Sequence, residues 1–264
     1  MDDLLRLQKI LSVLPLGGLR YFPMIDSTNN EAQNWISQGA PDLSLIVANE
    51  QTAGRGRMSR KWITPPNSAL AFTLILHPHN AESAGQYTAL GAIALCKVLI
   101  DEYNLPAVIK WPNDVLVFGK KTAGILVEMI WIGECLDSIL VGIGVNITPQ
   151  SVPTSGDVQF PALCLEKVLE HPIDRWELLQ KILRNILYWR TNLGKPVFMD
   201  TWNSLLAWRD EWVQATIENT SNPQVGRLIG VGQEGALILK DPFGKAQKIH
   251  MGELLHLRRY EPVD

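Results

Sequence analysis

Cysteine is scarce in this 264-residue chain, and its three cysteines, Cys96, Cys135 and Cys164, form no CxxC pair. A disulfide framework uses an even set of cysteines, and structural zinc sites are typically built on CxxC-type pairs. We therefore expect neither a disulfide framework nor a zinc site. The same scarcity favours a reducing compartment, and we predict a cytoplasmic location.

Long hydrophobic runs are also missing, because no stretch of roughly 18 consecutive apolar residues occurs. The chain begins Met1-Asp2-Asp3 without a basic segment, and Arg6 and Lys9 interrupt the apolar residues that follow. A secretory signal peptide has the opposite pattern. We expect no signal peptide and no contact with a membrane.

An excess of charge of one sign is absent as well. The chain has 24 Lys and Arg against 27 Asp and Glu, a net charge of −3, so it is no polycation for nucleic acid. With 46% hydrophobic and 19% charged residues, the composition excludes disorder, collagen and coiled coil. The length fits one large domain or two smaller ones.

Basic residues are nevertheless concentrated in one segment. Arg55, Arg57, Arg60 and Lys61 lie between Gly54 and Trp62, and Glu82 is the only acid from position 51 to position 83. Glycine lets a backbone approach a ligand closely, and the arginine guanidinium matches phosphate and carboxylate. This segment predicts an anion-binding loop; the alternatives are an exposed basic loop or a nucleic-acid contact.

A second polar cluster is Lys110-Trp111-Pro112-Asn113-Asp114, which supplies a cation, an amide and a carboxylate. Hard oxygen ligands suit magnesium, so Asp114 is a candidate metal ligand. The turn Phe118–Lys121 predicts a hairpin that folds its lysines back toward Lys110. The alternative is an ordinary Asn-Asp turn.

A third pattern, Val141–Asn146, alternates glycine with β-branched residues. Glycines on one face of a strand leave a groove in which a flat ligand can lie. The segment is not a dinucleotide fingerprint, because no helix start follows it. A packed core strand is the alternative.

The order of periodic segments predicts an α+β fold: a mixed, largely antiparallel sheet with helices on one side. Helices are expected over 4–14, from 28 to near 39, and over 82–103, 174–190 and 197–209. Strands are expected over 43–49, 69–76, 108–111, 115–118, 125–132 and 139–147. Short strands after Trp212 indicate a small barrel, so we predict a catalytic domain at 1–211 and a barrel at 212–264.

The segments DSTN, EQTAGRGR, KWPND, KTAGIL and GIGVN, beginning at Asp26, Glu50, Lys110, Lys121 and Gly142, occur in this order. Together they resemble the biotin protein ligases. The resemblance implies a catalytic domain like that of the class II synthetases and biotin–lipoyl ligases, followed by an SH3-like barrel. It also implies that ATP and Mg²⁺ activate biotin to biotinoyl-5′-AMP with release of pyrophosphate. Biotin then passes to a lysine of the biotin carboxyl carrier protein of acetyl-CoA carboxylase.

The resemblance also assigns site residues. The implied biotin site is Ser27, Thr28, Asn29, Gln51, Arg55, Gly56, Arg57, Lys121, Gly124 and Gly142. The implied ATP and adenylate site is Arg55, Arg57, Trp62, Lys110, Asn113, Lys121, Gly144 and Asn146. Lys121, Arg57 and Asp114 are the implied catalytic residues, Asp114 is the implied metal ligand, and the basic loop is expected to close over the adenylate.

The sequence departs from one well-known family pattern at Met58-Ser59, where an arginine and a glycine often follow the loop. Several alternatives stay open. Lipoate attachment shares the fold and the adenylate chemistry. A DNA-binding repressor is disfavoured, because the 25 residues before Asp26 predict one helix and helix-turn-helix domains need at least two. A protein-binding role for the barrel is a further alternative, and the resemblance favours a homodimer through a sheet edge.

Overall fold

The computed structural model of the protein describes residues 2–78, 84–153, 160–218 and 222–260. Its helices are α1 (Asp3–Leu11), α2 (Thr28–Ile36), α3 (Ala84–Tyr103), α4 (Leu165–Leu169), α5 (Arg175–Arg190) and α6 (Pro196–Ser204). The first seven strands are β1 (Gly18–Phe22), β2 (Ser44–Ala48), β3 (Ala69–Leu76), β4 (Ala107–Lys110), β5 (Asp114–Val117), β6 (Lys120–Ile132) and β7 (Cys135–Asn146). The last five are β8 (Trp212–Ile217), β9 (Gln224–Val231), β10 (Leu237–Lys240), β11 (Ala246–Ile249) and β12 (Leu254–Arg259).

The first seven strands form one sheet in the order β1-β2-β3-β7-β6-β5-β4. Only β1 and β2 pair in parallel, so the predicted mixed, largely antiparallel sheet is confirmed. The last five strands form an antiparallel sheet in the order β11-β10-β9-β8-β12, which fits an SH3-like barrel. This sheet begins at Trp212, where the sequence predicts a boundary; the division into two domains stays a prediction.

The helices cover the large sheet unevenly. Helix α3 packs on β4, β5 and β6, and α5 packs on α3 and β3. Helix α2 instead buries Ala32 against Ile46, Ile75 and Leu140, whereas Leu74, next to Ile75, belongs to the main core. Successive strand residues point to opposite faces, so α2 lies on the face opposite α3. The expectation of helices on one side thus holds for α3 and α5 and not for α2.

Several element bounds differ from those predicted. Helix α1 ends at Leu11, and α6 ends at Ser204, where Leu206 pairs with Ile109 of β4 instead of continuing the helix. Strand β6 begins at Lys120, five residues before the predicted start. Strands β1 and β12 and helix α4 were not predicted, and the start of the helix expected from 82 lies outside the described residues.

One apolar cluster runs through both sheets and includes Leu90, Trp202 and Leu237. The turn between β9 and β10 contacts the large sheet directly: the indole Nε1 of Trp111 donates to the Gly235 carbonyl at 3.0 Å. The core therefore ties the KWPND segment to the C-terminal sheet.

None of the helices in the described part of the chain is long and apolar enough to cross a membrane. All three cysteines are free, with Cys96 and Cys164 buried and Cys135 exposed.

Candidate active site

The predicted site residues line two adjoining cavities above β6 and β7. The first cavity contains Ser27, Thr28, Asn29, Gln51, Arg55, Gly56, Arg57, Trp62, Asn113, Asp114, Lys121, Gly124, Gly142 and Gly144. The second contains Lys110 and Asn146 and shares Arg57, Trp62, Asn113, Asp114 and Lys121 with the first. Segments far apart in the sequence therefore meet in one place.

The uncharged end of the site consists of Ser27, Thr28, Asn29 and Gln51. The Gln51 side-chain oxygen accepts from the Thr28 backbone N–H at 2.9 Å and from its hydroxyl at 3.1 Å. Helix α2 begins at Thr28, as the sequence predicts, and its N-cap position falls on Ser27.

Two residues at this end were not predicted. Asn29 donates its Nδ2 to a carboxylate oxygen of Glu128 at 2.6 Å, and the hydroxyl of Thr73 lies 2.6 Å from Asn29 Oδ1. Glu128 lies two residues beyond the KTAGIL segment, and Thr73 is a polar residue in an otherwise apolar strand. That isolated polar position was the available signal for Thr73.

Gly142 lies directly under Asn29. A Cβ atom at Gly142 would come within 2.4 Å of Asn29 Oδ1, a distance that requires the amide to move. The glycine-rich strand therefore forms the floor on which this amide rests.

The basic loop between β2 and β3 is held as an irregular hairpin. Gln51 pairs with Thr64, Arg55 pairs with Lys61, and Trp62 donates its N–H to the Gly54 carbonyl at 2.8 Å. At the tip, Met58 and Ser59 have φ values of 55° and 56°, in the left-handed region. Glycine is favoured there, so the two residues that depart from the family pattern carry backbone strain.

The loop arginines have separate partners. Arg55 Nη2 lies 2.8 Å from Asn30 Oδ1 and 3.2 Å from a Glu128 oxygen. Arg57 Nη2 donates to the Met251 carbonyl at 2.5 Å. Burial lowers the pKa of Arg57, and the charge of Asp114 opposes this shift. The carboxylate in the middle of the site therefore acts on Arg57.

The charged end of the site consists of Lys110, Asp114 and Lys121. Lys121 Nζ lies 2.5 Å from Asp114 Oδ1, and Lys110 Nζ lies 3.7 Å from Asp114 Oδ2. Burial lowers the pKa of Lys110, and Asp114 opposes the shift. The two cations thus share one carboxylate and retain an excess of positive charge for anions.

The turn between β5 and β6 places Lys121 at the charged end. Phe118 and Gly119 have φ values of 49° and 70°, as in the primed turns of two-residue hairpins. Lys121 faces Asp114, whereas Lys120 is exposed. The prediction that the lysines of this turn fold back toward Lys110 therefore holds for Lys121 alone.

Trp62 lies across the glycines of β6 and β7. A Cβ atom at Gly144 would lie 2.4 Å from the indole, and one at Gly124 would lie 3.4 Å from it. The indole Nε1 is buried and has no hydrogen-bond acceptor among the described residues. The side-chain amides of Asn113 and Asn146 donate to the carbonyls of Ile125 and Leu163, at 2.9 and 3.3 Å.

Strand β12 closes the second cavity. The sequence did not indicate that this strand contributes to the site. Leu255, His256 and Arg258 line it together with Lys110. Burial lowers the pKa of His256, with smaller contributions from the charges of Arg60, Arg258 and Lys110. The charged end is thus completed by the C-terminal sheet.

This arrangement suits a reaction between two anions. A carboxylate and a polyphosphate repel each other, and fixed cations lower the cost of bringing them together. The uncharged end provides neutral donors and acceptors for an uncharged polar group. The geometry therefore favours activation of a small acid by a nucleotide.

The family model for the biotin/lipoate A/B protein ligases matches residues 21–146. Over 227 residues the chain is 34% identical to the biotin–[acetyl-CoA-carboxylase] ligase of Paracoccus denitrificans, covering 83% of this chain and 93% of the relative. It is 32% identical to the bifunctional ligase/repressor BirA of Bacillus spizizenii over 241 residues, covering 89% of this chain and 73% of the relative.

A solved structure of the biotin protein ligase from Aquifex aeolicus in complex with biotin and ATP matches with a TM-score of 0.77 at 27% identity. The match covers 92% of this chain and 99% of that one. The chain therefore belongs to the biotin/lipoate A/B protein ligase family and, within it, to the biotin protein ligases.

Proposed function

We propose that the two-ended cavity activates biotin with ATP and that the chain then transfers biotin to a lysine of a biotin carboxyl carrier protein. The observation that carries the proposal is the junction of the uncharged end with the charged end in one cavity. The Aquifex aeolicus ligase, crystallised with biotin and ATP, supports it. The name of the Paracoccus denitrificans relative supports the carrier of acetyl-CoA carboxylase as the acceptor.

In the first step, a biotin carboxylate oxygen attacks the α-phosphorus of ATP. The bond to the β-phosphate oxygen breaks, pyrophosphate leaves, and biotinoyl-5′-AMP remains. Lys121 and Arg57 neutralise the carboxylate and the phosphate as they approach, and their stabilisation is largest while charge builds up in the transition state.

At the uncharged end, the ureido ring of biotin is the group that fits. It carries no charge and needs both donors and acceptors, which Ser27, Thr28, Asn29 and Gln51 supply. Three of these side chains, those of Ser27, Thr28 and Asn29, are at least 95% buried, so each hydrogen bond to the ring forms away from competing water.

The nucleotide belongs over Trp62 and in the second cavity. The indole offers a flat apolar face for adenine, and Gly144 and Asn146 lie beside it. Lys110 and Asn113 line the same cavity near the place proposed for the phosphates. Arg55 is proposed to act from the basic loop, through its contacts with Asn30 and Glu128.

In the second step, the amine of the carrier lysine attacks the acyl carbon of the adenylate. The incoming ammonium first loses one proton to water, because only the neutral amine is a nucleophile. After attack the bond to the phosphate oxygen breaks, AMP leaves, and the nitrogen releases a second proton to water. Asp114 is the carboxylate at this point of the cavity, and it accepts a hydrogen bond from the incoming lysine. Its partners Lys110 and Lys121 hold its position in the cavity.

Magnesium fits this site as an ion brought in with the nucleotide. Among the described residues no three His, Cys, Asp or Glu side chains lie close enough together to hold a metal. Magnesium commonly binds through one carboxylate plus substrate phosphates, and Asp114 would be that carboxylate. When bound, the ion supplies neutralising charge to the phosphates.

The proposal extends to the cellular setting. The three unpaired cysteines support a reducing, cytoplasmic location. A homodimer would use an edge of the large sheet, β1 or β4.

Mass spectrometry of a biotin carrier domain, incubated with the protein, biotin, ATP and Mg²⁺, tests the function. We expect a mass increase of one biotinoyl group, absent without ATP and absent when the acceptor lysine is replaced by arginine. A parallel reaction with lipoate tests the alternative substrate. An adenylate formed from lipoate and not from biotin would overturn the proposal.

A further inference from the structure

Polar contacts connect the first half of the basic loop, at Gln51 and Arg55, to the uncharged end of the site. The contacts run in the order Gln51, Thr28, Thr73, Asn29, Glu128 and Arg55, and the bond between Gln51 and Thr28 is the one from the Thr28 backbone N–H. Both the first and the last residue belong to the loop, whereas the four between them belong to α2, β3 and β6. The polar groups that face the biotin ring therefore also fasten the loop.

Glu128 is the charged member of this circuit that lies outside the loop. One carboxylate oxygen accepts from Asn29 Nδ2 at 2.6 Å. The other lies 3.2 Å from Arg55 Nη2, which is also 3.3 Å from the first oxygen. An ionised carboxylate has two accepting oxygens and no donor, so it satisfies both partners at once.

The contact with Glu128 fixes the orientation of the Asn29 amide. Since Nδ2 faces the carboxylate, Oδ1 faces the hydroxyl of Thr73. The glycine at 142 leaves the amide just enough room in this orientation. Reversal of the amide would turn an acceptor toward the carboxylate, which is unfavourable.

The same contact gives Arg55 a different task from Arg57. The Arg55 guanidinium is held by Asn30 of α2 and Glu128 of β6. Arg57 lies further toward the tip and senses Asp114. Arg55 is therefore positioned as an anchor of the loop.

We propose that Glu128 is a positioning residue that holds Asn29 and Arg55 together and thereby couples closure of the basic loop to the biotin-ring site. The inference rests on the proposed adenylate chemistry. It concerns how long the intermediate is retained and how well biotin is bound, and it leaves the phosphoryl-transfer step itself to other residues.

Substitution with glutamine separates the two contacts. The amide oxygen of Glu128→Gln can still accept from Asn29, but its NH₂ group repels the guanidinium of Arg55. We expect biotinoyl-AMP to escape about tenfold faster while the KM for biotin stays within about threefold. Glu128→Ala removes both contacts, so both quantities should rise about tenfold.

Release of labelled biotinoyl-AMP from the purified, full-length protein measures the escape rate, and steady-state pyrophosphate release measures the KM values for biotin and ATP. The control is Glu134→Gln, the same change at an exposed position in the turn between β6 and β7. An escape rate of Glu128→Gln equal to that of the parent overturns the proposal, as does a rise confined to the KM for ATP.

A double-mutant cycle with Arg55→Gln tests whether the two residues act as a pair. If they do, the double variant should release adenylate no faster than either single variant. If the two single-variant increases in escape rate multiply in the double variant, the residues act independently, and the proposal is overturned. If Glu128→Gln does not fold, Arg55→Gln must still speed the escape of biotinoyl-AMP. A parent that forms no adenylate refutes the proposed function, whereas normal formation with unchanged escape refutes only the role of Glu128.

Discussion

The two ends of the site are built in different ways. The uncharged end stands on a helix start and on strand residues, and Ser27, Thr28 and Asn29 are almost fully buried. The charged end has its three members, Lys110, Asp114 and Lys121, on β4, β5 and β6, and the basic loop and β12 of the other sheet complete its lining. The uncharged end is thus a buried set of neutral groups, whereas the charged end gathers charged groups from both sheets and from a loop.

This difference follows from the chemistry of the ligands. Neutral hydrogen bonds are directional and worth little if misplaced, so they need a fixed scaffold. Charges act over longer distances and tolerate displacement, so a loop can carry them. Substitutions at the uncharged end should therefore change mainly the KM for biotin, and substitutions at the charged end should change mainly chemistry and retention.

The largest effect is expected for Lys121→Ala. Without this cation, the carboxylate and the α-phosphate face each other with less neutralising charge, and adenylate formation should fall about 100- to 1,000-fold. Lys120→Ala, at the exposed neighbouring lysine, is the matched control and should match the parent. Pyrophosphate release measures both. Full activity of Lys121→Ala would show that the charged end does not contribute to adenylate formation.

The next largest effect is expected for Arg57→Ala. Loss of its bond to the Met251 carbonyl and of its charge should loosen the loop, so biotinoyl-AMP should escape about tenfold faster. Filtration of enzyme preloaded with labelled adenylate measures this escape. Arg184→Ala, at an exposed arginine of α5, is the control. Retention as tight as in the parent would contradict the role of the loop.

A pair of glycine substitutions distinguishes the two ends on one strand. Gly142→Ala should displace Asn29 and raise the KM for biotin about tenfold, with a smaller effect on the KM for ATP. Gly144→Ala should displace Trp62 and raise mainly the KM for ATP, about tenfold.

The comparison uses steady-state kinetics with each substrate varied in turn. Gly232→Ala is the control, because a Cβ atom there would make only ordinary contacts. If both site variants change the same KM, the two ends are not separate.

The smallest expected effect is a shift in the pH dependence of kcat/KM for ATP, caused by the titration of Lys110. A lysine with a lowered pKa loses its proton at lower pH than a free lysine, so kcat/KM for ATP should fall before pH reaches the ordinary value of 10.5. Lys110→Arg stays charged and should move this fall to higher pH. Identical profiles for parent and variant would exclude Lys110 as the titrating group.

The same pKa has the opposite effect on stability. Between the lowered pKa and 10.5 the unfolded chain binds the proton and the folded chain does not. The free energy of unfolding should therefore rise with pH in this window. Urea denaturation at several pH values measures it, and Lys110→Arg should lose the rise.

Most of the charged and glycine residues at the site were visible in the sequence, because Arg57, Lys121 and Gly142 lie in compact segments with unusual composition. The residues that connect these segments were not. Glu128 is one carboxylate on a long strand, and only the pairing of β6 with its neighbours and the position of α2 bring it to Asn29 and Arg55. Local sequence carries no information about such contacts.

Prediction of the secondary structure from the sequence was limited in the same way. Strand β3 and helix α3 have strong periodic patterns and were predicted within a few residues. Strand β1 is a short edge strand after a glycine pair, and β12 mixes apolar and basic residues. Both exist because a neighbouring strand offers hydrogen bonds, which is a tertiary effect. Helix α6 stops early for the same reason, since Leu206 joins β4.

The hydrogen bond from Trp111 to Gly235 makes the KWPND segment depend on a distant turn. Gly235 has a φ of 83°, and a Cβ atom there would lie 3.0 Å from the Gly85 backbone. A side chain at 235 would push the turn away from Trp111 and disturb Lys110 and Asp114 beyond it. In a genetic screen such a substitution would be scored as a loss of ligase activity, although residue 235 contacts neither the substrates nor the cationic side chains of the site.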